Sequence, residues 1–275
     1  MKKLLLTLTV LMTALSTPGE AAAPIIITAA GDIATAGSKD SQTARLIQRL
    51  DPARALTLGD NAYPSGTAQQ FNQYYHPTWG AFKAKTSPSP GNHDYHTPGA
   101  AGYFGYFGSR APAPNYTYVV GQWRMVSLNS DRNRAGAFSF LRQTLNNDSH
   151  LCELVYFHHP RWSSSGHGSD PGMDAVWDEA VSQGVDVILN GHEHNYERFA
   201  RLGKNGQPRA NGTREFVVGT GGAPLRGFDS AIAGSQRRIK TWGVLRMSLR
   251  VSSYAWSFRN VANTVLDSGT TGCHP

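Results

Sequence analysis

The amino-acid sequence predicts an α/β domain in which sheets are covered by helices. Three observations carry this. Short apolar runs recur along the 275 residues, helical patterns fall between several of them, and no Pro/Gly/Ser linker, internal repeat or low-complexity block divides the chain.

Taken in order, the run from Ile25 to Ala29 reads as a buried strand, followed by a helix near Ser41 to Leu50 and a strand near Ala55 to Leu58. Pro64 to Gly108, rich in Tyr, Phe, Pro and Gly, is an excursion expected to wall a cleft. Further strands are expected at Trp123 to Leu128, Leu154 to Phe157, Val185 to Leu189, Phe216 to Val218 and Val244 to Leu249. Helical patterns near Phe138 to Leu145 and Met173 to Ser182 lie between some of them.

The N-terminus has a different character. Lys2 and Lys3 precede the apolar run Leu4 to Leu15 and the small-residue stretch Ala21-Ala22-Ala23, which reads as a secretory signal peptide over residues 1–23. The cut falls after Ala23 or, because Pro24 is awkward there, after Ala21 or Ala22. The expected location is therefore secreted or periplasmic, with residues 24–275 as one catalytic domain. No later stretch is apolar for long enough to cross a membrane as a helix.

Without residues 1–23 the chain carries 24 Lys+Arg against 18 Asp+Glu, a formal charge of +6. A basic surface suits anionic substrates. It has no basic run and no Arg-rich or Lys-rich helix, which speaks against a dedicated nucleic-acid interface, and no membrane partner is expected. Only Cys152 and Cys273 are present, in no zinc-type spacing. In an exported protein a disulfide between them would tie the tail to the segment carrying His158, with a loop-closure effect on the order of 4 to 5 kcal/mol. Two unpaired thiols are the alternative.

Five polar clusters punctuate this frame: Gly31-Asp32, Gly59-Asp60-Asn61-Ala62-Tyr63, Gly91-Asn92-His93-Asp94, Val155-Tyr156-Phe157-His158 and Gly191-His192-Glu193-His194. Asp32, Asp60, His158 and His192 each follow a predicted strand, and open α/β sheets bind ligands beyond the carboxyl ends of their strands. His192 and His194 converge only if they leave a turn, which Asn190-Gly191 supplies. Two carboxylates beside three histidines need a counter-charge, and metal cations provide it. Each piece alone is ambiguous, since a Gly-Asp pair is equally a turn or cap and Asn92 equally a left-handed turn residue. Together they offer oxygen and nitrogen ligands for two adjacent metal ions, an arrangement suited to phosphate ester hydrolysis.

The combined pattern, from Ala30 to Arg198, closely resembles the calcineurin-like metallophosphoesterases and, within them, the purple acid phosphatases. The first cluster of the wider superfamily reads Asp-x-His, and here the histidine position is Ala34. Tyr63, three residues after Asp60, matches the Asp-x-x-Tyr that purple acid phosphatases use instead; its alternative is a wall residue of the aromatic excursion. Those phosphatases generally have Gly where this chain has Ala34, a change tolerated if the backbone dihedrals there are ordinary. The resemblance implies a four-layer α/β/β/α sandwich, two mixed sheets flanked by helices, in a version limited to the catalytic domain.

Carried over by residue, the resemblance assigns Asp32, Tyr63 and His194 to the first metal and Asn92, His158 and His192 to the second, with Asp60 bridging. The anionic, oxygen-rich first site favours a trivalent ion, so the implied pair is Fe(III) with Fe(II), Zn(II) or Mn(II). The implied reaction is hydrolysis of small phosphate monoesters by a metal-activated hydroxide, as in an acid phosphatase. Phosphodiesterase or nucleotidase activity on the same centre is the alternative, and a non-catalytic metal- or phosphate-binding protein a third reading.

A histidine is the natural proton donor to the leaving alkoxide. His93 leads, with Asp94 as its orienting partner, and His167 is the second candidate. His159 is within reach of the cleft, whereas His76 and His96 are expected on the surface or a lid. Asn195-Tyr196-Glu197-Arg198 reads as a loop-stabilising ion pair and packing group. Gly219-Thr220-Gly221-Gly222 lacks the Lys-Ser/Thr of a nucleotide loop and reads as a tight turn beside the cleft.

Overall fold

The computed structural model describes residues 23–146 and 148–274, so the expected leader, apart from Ala23, lies outside the described residues. The chain runs β1 (Ile25–Ala30), α1 (Asp40–Leu50), β2 (Arg54–Leu58), α2 (Ala68–Gln70), β3 (Thr86–Ser89), α3 (Ala101–Phe107), β4 (Tyr116–Val120), β5 (Trp123–Ser127), α4 (Arg134–Leu145), β6 (Cys152–Tyr156), α5 (Asp174–Gln183), β7 (Val187–Asn190), β8 (Tyr196–Leu202), β9 (Thr213–Val218), β10 (Ser235–Ile239), β11 (Gly243–Leu249), β12 (Ser253–Asn260) and β13 (Val265–Gly272). Short π- and 3-10 turns fill the excursion around α2 and α3.

Two mixed sheets result. The six-stranded sheet has the order β13-β12-β11-β1-β2-β3, and the seven-stranded sheet the order β10-β8-β9-β7-β6-β5-β4. β1, β2 and β3 are parallel, as are β5, β6, β7 and β9; the flanking strands are antiparallel.

Strand alternation builds the layers, because successive side chains point to opposite faces. In β6, Leu154 and Tyr156 join the core shared with Met247, Trp256 and Phe258 of the first sheet. Val155 points the other way, with Leu141 of α4 and Trp177 and Ala180 of α5. Leu46 and Ile47 of α1 cover the first sheet. The four-layer expectation therefore holds.

Six strands were not legible as apolar runs: β3, β4, β8, β10, β12 and β13. β3 reads Thr-Ser-Pro-Ser, yet all four residues are buried. It tolerates Pro88 because it closes the edge of its sheet, where one missing N–H costs little. β10 and β13 are also edges, largely exposed and polar.

The Tyr196-Glu197-Arg198 segment is strand, not loop. Its ion pair is present, and it joins the two sheets: Arg198 Nε donates to Asp267 Oδ2 at 2.7 Å and Tyr196 Oη to the same oxygen at 2.7 Å. Cys152 and Cys273 form a disulfide, with Cα atoms 5.6 Å apart, that links β6 of one sheet to the chain just past β13 of the other.

Candidate metal centre

All five clusters arrive at one end of the sandwich. Asp32 follows β1, Asp60 follows β2, Asn92 follows β3, His158 follows β6, and His192 and His194 follow β7. Because β3 exists, the third cluster is also a strand end, which its sequence did not disclose. The turns are locked to one another. Asp32 N donates to Gly59 O at 3.1 Å and Gly191 N to His158 O at 3.0 Å.

Three residues of the cluster hold left-handed backbone, Asp32 at φ 60°, Asp60 at φ 50° and His192 at φ 69°. Such conformations are costly for non-glycine residues and concentrate at functional sites. Gly59, at φ 84°, has the His158 ring packed where a Cβ would sit, so glycine is required there twice over.

The side chains form two groups that share one carboxylate. In the first, Tyr63 Oη lies 2.9 Å from Asp32 Oδ1 and 3.2 Å from His194 Nε2, and His194 Nε2 lies 3.3 Å from Asp32 Oδ1. In the second, His158 Nε2 lies 3.0 Å from Asn92 Oδ1 and 3.2 Å from His192 Nδ1. Asp60 Oδ2 stands between them, 2.9 Å from Tyr63 Oη and 3.4 Å from His158 Nε2. Two imidazoles are fixed from behind: His158 Nδ1 donates to Leu58 O at 2.8 Å and His194 Nδ1 to Pro224 O at 2.7 Å, leaving each Nε2 to face inward.

The electrostatics fit a site for cations. Burial acts to raise the carboxyls of Asp32 and Asp60, but His194 beside the first and His158 beside the second outweigh it and hold both below the usual range. Burial likewise opposes protonation of His158, yet Asp60 and then Asp32 push it up to about 10. Burial, reinforced by Asp32 and Asp60, drives the Tyr63 phenol well above its ordinary value. The buried negative charge is thus neutralised by protons, and metal cations replace protons on this kind of donor set. Two carboxylates, a phenol, an amide oxygen and three imidazoles in two groups with a shared carboxylate fit two ions.

Around this centre the other sequence candidates separate. His93 stays at the mouth: its N–H donates to Asp60 Oδ1 at 2.8 Å, its Nδ1 to Pro64 O at 2.7 Å, and its ring lies 4.4 Å from that of Tyr63. Asp94 does not orient it. Asp94 is fully buried and accepts from Gly91 N and Asn61 Nδ2, both at 2.9 Å, so it staples the Gly-Asn-His-Asp turn to the second cluster. Adjacency in sequence misled here because the two side chains leave a 3-10 turn in different directions.

His167 comes into the site, its ring stacked on His192 at 4.4 Å. His159 is buried against His192 at 4.5 Å, with Nδ1 3.0 Å from Ser130 Oγ. His96 lies beside His93 at 4.6 Å between ring centroids, while His76 turns to Tyr106. Gly219 to Gly222 is the expected turn: Gly221 N donates to Gly31 O at 2.8 Å, behind Asp32.

Sequence reading passed over Glu193 and Arg226. Glu193 is fully buried between the two histidines of its cluster; Oε1 accepts His167 N at 3.0 Å, while Oε2 lies 3.5 Å from His167 Nδ1 without a geometric hydrogen bond. Its signal was its place in the fifth cluster. Arg226, against His167, had none.

A family model for calcineurin-like phosphoesterases matches residues 22–196. Among solved structures, the purple acid phosphatase PPD1 from yellow lupin (Lupinus luteus) seeds superposes with a TM-score of 0.76 at 21% identity, covering 93% of this chain and 55% of that one. This chain therefore spans about half of the lupin protein. GAP50, the anchor in the inner membrane complex of Plasmodium, gives a TM-score of 0.76 at 12% identity, covering 92% and 90%. PhoD gives 0.58 at 10% identity, covering 93% and 70%. No curated protein matches the sequence at the same stringency. The family match covers most of the chain and contains all five clusters, so this chain belongs to the calcineurin-like phosphoesterase family.

Proposed function

We propose that the protein is an exported phosphomonoesterase of the purple acid phosphatase type. Fold likeness alone does not carry this, since one structural neighbour is described as an anchor. The observation that carries it is the position of Tyr63 Oη, 2.9 Å from both Asp32 Oδ1 and Asp60 Oδ2 and 3.2 Å from His194 Nε2.

In this reading Asp32, Tyr63 and His194 hold one ion, Asn92, His158 and His192 the other, and Asp60 bridges. The phenol, rather than an imidazole, makes the first site hard enough for Fe(III), with Fe(II), Zn(II) or Mn(II) in the second. When bound, the pair supplies Lewis-acid stabilisation of the phosphoryl oxygens and an activated water. His93, with Nδ1–H held by Pro64 O at 2.7 Å and Nε2 3.9 Å from Asp60 Oδ2, gives the Nε2 proton of its imidazolium form to the leaving alkoxide. The location rests on the leader pattern of residues 1–23.

Rates on a nitrophenyl phosphate monoester and its diester test the reading. It expects the monoester to be preferred, with activity lost in Asp60→Ala and His192→Ala. A preference for the diester would replace it with the phosphodiesterase alternative, and phosphate binding that survives both substitutions without turnover would favour a binding protein.

A further inference from the structure

The open side of the sandwich carries a charged cavity of its own. β3 is the edge strand of one sheet and β4 of the other, and Tyr116 Oη spans the gap by donating to Pro88 O at 2.6 Å. Beside that contact lies a cavity of about 190 Å³ whose lining includes Arg54, Ser87, Ser109, Arg110 and Tyr118. Since a water molecule takes up about 30 Å³ in the liquid, the cavity has room for a small ion and part of its hydration shell. It does not belong to the centre at the strand ends. Arg54 opens β2, whereas Asp60 lies beyond the other end of that strand, so the length of β2, about 13 Å, separates them.

Two guanidiniums meet in this cavity from different elements. Arg54 leaves the first residue of β2, and Arg110 the 3-10 turn Gly108–Arg110 that follows α3. Arg110 Nε donates to Thr86 O at 3.0 Å, which seats the group against β3 and leaves both Nη groups unbonded. The Arg54 side chain makes no hydrogen bond or ion pair among the described residues, and no carboxylate lines the cavity. Both arginines are partly buried. Their charge is felt inside: burial raises the Tyr118 phenol, while hydrogen bonds with Ser87 and Tyr156 and the charges of Arg54 and Arg110 oppose that rise.

Two cations facing one small cavity repel each other, and an anion between them turns that repulsion into attraction. A guanidinium fork engages an oxyanion two oxygens at a time. Two forks arriving from separate elements therefore call for more oxygens than one carboxylate has, and a tetrahedral ion supplies them. Ser109, whose hydroxyl has no hydrogen bond among the described residues, adds a donor. We propose that Arg54 and Arg110 form an anion site, separate from the metal centre, for one small tetrahedral oxyanion of the inorganic phosphate and sulfate class. The site stands whether or not the metal centre is a phosphomonoesterase.

Equilibrium dialysis of the metal-loaded full chain against radiolabelled inorganic phosphate tests it. The readout is the difference between wild type and variant, so phosphate held at the strand-end centre cancels. Arg54→Gln should weaken one phosphate site about tenfold or more, as expected for loss of a charge-assisted contact, with the unfolding midpoint in phosphate-free buffer unchanged. Arg110→Lys, which keeps the charge and loses the fork, should weaken the same site less. Lys240→Gln, exposed just past β10, should match the wild type and so exclude a net-charge effect. Sulfate should displace the phosphate of this site, and acetate at equal concentration should not. Isotherms of Arg54→Gln and Arg110→Lys that superpose on the wild type overturn the site. Displacement by acetate as readily as by sulfate overturns its tetrahedral class.

Discussion

Ala34 O accepts the backbone N–H of Tyr63 at 2.8 Å, and Ala34 and Ala62 form a parallel bridge. The residue at the position where the wider superfamily has a metal-binding histidine therefore holds, through its backbone, the residue whose phenol reaches Asp32. Ala34 is fully buried and is not among the residues with positive φ, so alanine fits there without strain. Under the proposed ligand set, exchange of imidazole for phenol is a coupled change of two neighbouring turns.

The buried carboxylate of Asp94 holds the third cluster against the second. Asp94→Ala leaves the N–H groups of Gly91 and Asn61 without their acceptor in a buried turn, and should destabilise the protein by about 2–4 kcal/mol. It should also weaken the metal site containing Asn92 more than the other. Thermal unfolding with metal titration checks this, and an unaltered midpoint with unaltered metal content would show that the staple is dispensable.

His93 as proton donor makes a prediction about leaving groups. His93→Ala should lower kcat on an alkyl phosphate by about 10² or more, and on nitrophenyl phosphate much less, because nitrophenolate leaves without a proton. Equal losses on both substrates would remove His93 from that role and turn attention to His167.

Glu153, half-buried on β6, predicts a pH effect away from the site. Burial, with Asp186 and Asp148 adding to it, pushes its carboxyl up to about 8. Folding therefore favours the protonated acid, so its contribution is complete below its ordinary value of 4.5 and is lost as pH rises through 8. Glu153→Gln should stabilise the protein by about 1 kcal/mol at pH 9, after allowance for solvent screening, and by roughly nothing at pH 4. Urea midpoints at the two values decide it; a stabilisation larger at pH 4 would reverse the assigned sign.

The disulfide closes a loop of 121 residues between the two sheets. Cys152→Ser with Cys273→Ser should cost on the order of 4 to 5 kcal/mol in the chain-entropy account. Because the bond lies away from the cluster, metal content should be retained. A midpoint insensitive to reductant would show that the Arg198–Asp267 latch and sheet packing suffice.

Much of this was legible in the sequence, for physical reasons. Buried parallel strands such as β1, β6 and β7 are continuous apolar runs, and the polar residues that end them mark the site. Edge strands escaped notice because β3, β10 and β13 need few apolar side chains. Cluster membership was readable for Asp32, Asp60, His158 and His192, which follow legible apolar strands, whereas Asn92 follows β3, whose sequence does not read as a strand. Which neighbour a side chain meets was not readable: Asp94 turns from His93 to Gly91, and Arg226 reaches His167 from a loop 59 residues away.

The central claim is that a tyrosine has taken the place of a histidine in the first metal site. Metal analysis with a visible spectrum of the purified protein, before and after Tyr63→Phe, tests it most directly. Two metals per chain with iron among them are expected, with a tyrosinate-to-iron absorption band that vanishes in Tyr63→Phe. A colourless, fully active protein without iron would contradict the purple acid phosphatase assignment while leaving membership of the calcineurin-like phosphoesterase family intact.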